Sequence, residues 1–122
     1  MSLHNAPLRL AQASFALALL VATPAAARAI PASEASSHTG ETATVEGQVA
    51  EVFTSRRGDT FIDLGGRYPN ETFTGVIFRS NAGAFGDVSG LQGSTVDLTG
   101  TITNYRGRPE IILRSRDQID VK

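Results

Sequence analysis

Arginine and aromatic side chains recur together in this chain, at spacings that suit a ligand carrying both phosphates and flat rings. Arg56 and Arg57 stand before Gly58, Arg67 and Tyr68 before Pro69, and Tyr105, Arg106 and Arg108 surround Gly107. A guanidinium presents a planar fork of donors that fits a phosphate or a carboxylate. An exposed ring offers a face on which a nucleic-acid base can stack. Phe61 and Phe73 add two further rings if their side chains point outward. A cluster of charges in a turn also fits a plain solvated loop.

Catalytic chemistry finds little to work with. The chain has no cysteine, which removes thiol nucleophiles, disulfides and thiolate metal sites. No Ser-His-Asp set and no glycine-rich phosphate cradle can be read along it. Asp59 and Asp63 lack a third ligand at a sensible spacing, so no metal is expected, and no cofactor. His38 stands alone in a polar stretch and is a poor base or ligand. Arg57-Gly58-Asp59 reads as a turn, and Asn70-Glu71-Thr72 matters as a sequon only in a glycosylating host. The expectation is a noncatalytic protein. A metal-dependent nuclease is the remoter alternative.

The elements that must position these groups follow a leader. Residues 1–29 have a polar start, a short apolar run over 13–22 and small residues at Ala25, Ala27 and Ala29. That is the pattern of a cleavable export signal, too short to span a bilayer. It predicts a periplasmic or secreted protein with no membrane span after cleavage. Loss of Arg9 and Arg28 would leave nine basic and twelve acidic side chains, a formal net charge of −3. Such a balance argues against strong nonspecific nucleic-acid affinity, which depends on neutralising phosphates. Residues 30–41 are small and polar and read as a flexible leader to a single domain over 42–122.

That domain reads as five short strands. The first, 42–53, places Val45, Gly47 and Val49 on one face, then slips phase before Val52 and Phe53. A glycine followed by a phase change suits a long, bent strand. Strands at 60–64, 73–78, 95–105 and 110–114 follow, with Ile119 and Val121 extending the last after a break. Residues 80–93 interrupt the rhythm. Ala82, Ala84, Phe85, Val88 and Leu91 suit a short helical or irregular plug between the third and fourth strands. If Ile62, Leu64, Val76 and Phe78 fill the interior, Phe61 and Phe73 face out; a slip of one residue reverses that assignment.

The order of three strands, a plug and two strands is that of a five-stranded Greek-key OB-fold barrel. Val45-Glu46-Gly47-Gln48-Val49, Thr60-Phe61-Ile62-Asp63-Leu64 and Gly75-Val76-Ile77-Phe78 resemble the barrel of tRNA-anticodon-type OB-fold nucleic-acid-binding domains. Val96-Asp97-Leu98-Thr99-Gly100-Thr101-Ile102 and the hairpin from Tyr105 to Leu113 continue the likeness. The segment from Leu64 to Phe73 resembles OB domains of exported bacterial proteins. The resemblance implies an all-β fold and a single-stranded nucleic acid crossing the second and third strands. The first–second and fourth–fifth loops, with Arg56, Arg57, Tyr105, Arg106 and Arg108, would flank it. A protein, sugar or small ligand in the periplasm is the alternative occupant.

Overall fold

The computed structural model describes residues 28–122. The export signal expected at 1–29, apart from its last two residues, lies outside them. Among the described residues seven strands form: β1 (Ile30–Pro31), β2 (Thr42–Thr54), β3 (Thr60–Leu64), β4 (Phe73–Ile77), β5 (Thr95–Tyr105), β6 (Arg108–Ile112) and β7 (Ile119–Val121). Pairing runs β2–β3–β4–β6–β5, and β5 pairs back onto β2, so the sheet curls into a ring. Neighbours within the ring are antiparallel except β4 and β6, which are parallel. β1 and β7 are short additions on β2 and β5.

β2 closes the ring because it serves two partners. Residues 42–48 pair with β5, and the remainder from Val49 pairs with β3. The register shifts between Val49 and Glu51, which is the phase slip visible in the sequence. An extra residue on one strand bends it and raises its twist. Inside the ring lie Val45, Val49, Ile62, Leu64, Leu98, Ile102, Ile111 and Leu113, all essentially inaccessible to water. Gly75 sits among them because a Cβ there would come within 2.9 Å of both Leu98 Cδ1 and Leu113 Cδ1.

The connection from β4 to β5 forms two 3₁₀ turns, Arg79–Ala84 and Ser89–Leu91. Phe85, Val88 and Leu91 are buried against the core from this segment, in the manner expected of a plug. Residues 30–41 differ from the flexible leader expected of them. Ile30 pairs with Val45, and Ala32–His38 forms a 3₁₀ helix that buries Ala32 and Ala35. His38 Nδ1 lies 2.9 Å from Glu41 Oε1, and Gly40 N donates to Ile102 O at 2.7 Å. Two alanines small enough to sit against the core anchor a segment whose composition looks unstructured.

The facing of β4 is also corrected. Ile62 pairs with Gly75 and Leu64 with Phe73, so Phe73, Gly75 and Ile77 share the interior face. Phe73 is 0% exposed and belongs to the core, whereas Phe78 is 43% exposed. Val76 lies on the outer face, buried between Phe61 and Ile112 by cross-strand pairing.

Candidate nucleic-acid interface

Register sets the outer face of the curled sheet row by row. One row runs Phe53, Phe61, Val76 and Ile112 across β2, β3, β4 and β6. The next runs Glu51, Asp63, Thr74, Glu110 and Thr103, ending on β5. Rows on one face are two residues apart, roughly 7 Å along the strands. Beyond the second row Tyr105 pairs with Arg108, and the β3–β4 loop brings Arg67, Tyr68 and Glu71 alongside. These rows and loops enclose a groove of about 500 Å³.

Its walls are aromatic. Phe53 and Phe61 stack with centroids 6.4 Å apart and planes 22° from parallel. Arg108 Cζ lies 5.2 Å from the Tyr68 ring centre, and Arg106 Cζ lies 5.1 Å from that of Tyr105. Both are within reach of a cation–π attraction. The β5–β6 turn that carries Arg106 has positive φ at both central residues, 52° at Arg106 and 85° at Gly107. Such a turn matches the twist of the flanking strands but favours asparagine or glycine at its first central position. Asn104 Oδ1 supports it by accepting from Gly107 N at 2.8 Å.

The cations differ in freedom. Arg108 Nη1 donates to Glu71 Oε2, and Glu71 strengthens its hold on its proton. Arg67 Nη2 donates to Glu51 Oε2 at 3.3 Å. Arg106 makes no ion pair among the described residues.

The floor is acidic. Glu51, Asp63, Glu71 and Glu110 all line the groove. Asp63 accepts from Thr74 Oγ1 at 3.1 Å, and both residues are buried. Burial pushes the Asp63 carboxyl up to about 6; the Thr74 bond opposes this, and Glu71 and Glu51 add to it. Burial likewise raises Glu110. Taking a carboxylate out of water disfavours its charged form. No group of three or more His, Cys, Asp or Glu among the described residues is arranged to hold a metal.

Of the residues singled out in the sequence, Phe61, Arg67, Tyr68, Tyr105, Arg106 and Arg108 meet in this groove. Arg57 does not. It lines a neighbouring depression of about 310 Å³ with Asp59, Phe78, Arg79 and Ser80. Arg56 is exposed on the β2–β3 turn and lines neither. Phe73, expected at the surface, is excluded by its place in the core. Phe53, Thr74 and the four carboxylates were missed. The slip after Val49 is a signal for Glu51 and Phe53 alone, because it turns them to the same face as Asp63 and Phe61.

No protein-family model matches the chain, and no curated protein matches it. Solved structures do. A chain assigned as an aspartyl-tRNA synthetase from Leishmania major superposes with a TM-score of 0.52 at 17% identity, over 81% of this chain and 21% of that one. Asparaginyl-tRNA synthetase from Pyrococcus horikoshii gives 0.51 at 14% identity, over 78% and 23%. The OBody AM1L10, solved bound to hen egg-white lysozyme, gives 0.51 at 16% identity, over 84% and 98%. This chain spans about a fifth of each synthetase. At these identities the likeness is one of fold, and it is to OB-type domains.

Proposed function

We propose that this chain is a noncatalytic OB-fold module, exported to the periplasm or beyond, that binds a single-stranded nucleic acid in the groove. The observation that carries the reading is the convergence of four rings and three arginines on one outer face. Phe53, Phe61, Tyr68 and Tyr105 offer stacking platforms, and Arg67, Arg106 and Arg108 stand at the end where phosphates would pass. The similarity in fold to parts of two tRNA synthetases supports the same ligand class. Global charge is unfavourable, so affinity rests on this local set and falls with salt.

Anisotropy titration of the purified protein with short labelled single strands tests it. Three phosphate contacts give a slope of log K against log salt of about −2, a loss of about 20-fold between 50 and 200 mM. Arg106→Ala is expected to weaken binding and flatten that slope by about 0.7. Absence of binding at low salt rejects the reading.

The acidic floor favours a second reading, a basic protein partner. The OBody with lysozyme is an OB domain of similar extent in a complex with a protein. Binding of a basic protein at low salt, with no binding of single strands under the same conditions, would select it.

A further inference from the structure

We infer that the floor of the groove selects bases whose edges present N–H groups, guanine above all, and disfavours thymine and uracil. This rests on the single-strand reading and narrows it. Three carboxylates, Glu51, Asp63 and Glu110, lie in one row across β2, β3 and β6, between the stacked pair Phe53 and Phe61 and the tyrosines at the far end. A base resting on either set of rings turns its edge toward that row. Ionised carboxylates only accept hydrogen bonds. Thr74 Oγ1, at 3.1 Å, is the side-chain donor to Asp63. It fixes the carboxylate's orientation through one oxygen, which keeps a second lone pair, and leaves the other oxygen wholly free, so both can still accept from a ligand.

A second observation points the same way. The Glu71 side chain is 5% exposed; its Oε2 engages Arg108, but its Oε1 is buried with no hydrogen-bond partner among the described residues. Leaving a buried acceptor unmade is costly, and a native group in that condition calls for an explanation. Glu71 lines the groove, and a ligand N–H that reaches Oε1 would supply the partner it lacks.

Base edges then sort themselves. Guanine sets N1–H beside its 2-amino group, a pair of parallel donors that can engage both oxygens of one carboxylate. Adenine and cytosine each present one amino group. Thymine and uracil present two carbonyls around a single N–H, and those carbonyls oppose the carboxylate oxygens. Arg106, which makes no ion pair among the described residues, and the donors that Arg67 and Arg108 do not spend on Glu51 and Glu71 remain for phosphates, so backbone and base are met by different charges.

The test uses the protein with short labelled thymidine oligonucleotides carrying one central guanine, inosine, adenine or cytosine, at low salt and pH 7.5. The guanine oligonucleotide is expected to bind about ten-fold tighter than the all-thymidine one, the scale of one good bidentate base contact. Inosine, which lacks the 2-amino group, is expected to fall between them. Asp63→Asn gives the floor an amide donor and is expected to pull the guanine-to-thymine ratio toward one. Equal affinity for every oligonucleotide, or a preference for thymidine, overturns the selectivity and leaves single-strand binding standing. Failure of all of them to bind overturns the binding reading itself. The inosine comparison needs no variant, so the outcome does not depend on Asp63→Asn folding.

Discussion

Gly75→Ala is the substitution whose effect follows most directly from the geometry. Gly75 pairs with Ile62 on one side and Ile111 on the other, and its missing side chain points into the ring. Its φ is not positive, so alanine meets no backbone strain, and strand propensity does not oppose it. In open space the change would stabilise by about 0.4–1 kcal/mol through the unfolded chain. Here the new methyl would stand 2.9 Å from Leu98 Cδ1 and from Leu113 Cδ1. Both leucines are fully buried and can give way only by disturbing their own neighbours. Overpacking of this kind costs about 1–3 kcal/mol. In a domain of this size each kcal/mol lowers Tm by about 4–8 °C. Thermal and urea melts give the number. Adding Leu113→Val should recover part of the loss, a coupling of about 0.5 kcal/mol or more between touching residues. An alanine variant as stable as the parent would show that the ring does not close as tightly at β4 as the 2.9 Å approach of the two leucines demands. Thr74 and Val76 flank the site of strain on the groove side, so a weaker affinity should accompany the lower Tm.

Other outcomes are narrower. Leu98→Ala removes a fully buried side chain and is expected to cost about 2–5 kcal/mol by denaturant melt; a cost near zero would contradict its interior placement. Tyr105→Ala, at an exposed ring, should leave the melt unchanged and weaken single-strand binding by about 1–3 kcal/mol. Loss of stability without loss of affinity would assign Tyr105 a structural part. The folded protein holds the Asp63 proton to about pH 6 against an ordinary value near 3.8. The native state therefore binds more protons between those values, and this group makes stability fall as pH rises from about 4 to about 6. Asp63→Asn should flatten that descent; an unaltered pH profile would place the raised carboxyl elsewhere. Base selectivity should also weaken below pH 6, where a protonated Asp63 donates as well as accepts. Glu51, Glu71, Glu110, Thr74 and Arg108 face that group.

Most of the strand plan was legible because alternation and glycine punctuate it. β3 and β5 have the bounds their patterns imply, and the phase slip in β2 is a real register shift. β4 was harder. Phe73, Gly75 and Ile77 form one face and Thr74, Val76 and Phe78 the other, and each face carries two large apolar residues. Only pairing with Ile62 and Leu64 decides which is interior. The leader was illegible for another reason: alanines carry almost no periodic signal, yet Ala32 and Ala35 are buried. The arginine and tyrosine half of the groove could be read from turns. The carboxylate half could not, because Glu51, Asp63 and Glu110 become neighbours only across strands.

The sheet's outermost strands are two and three residues long. Little backbone is thus left open for a foreign strand to add to, which is how exposed edges seed aggregates. With no thiols to mispair, the chain should return from denaturant to the same folded state whether or not a reductant is present, and do so even when concentrated.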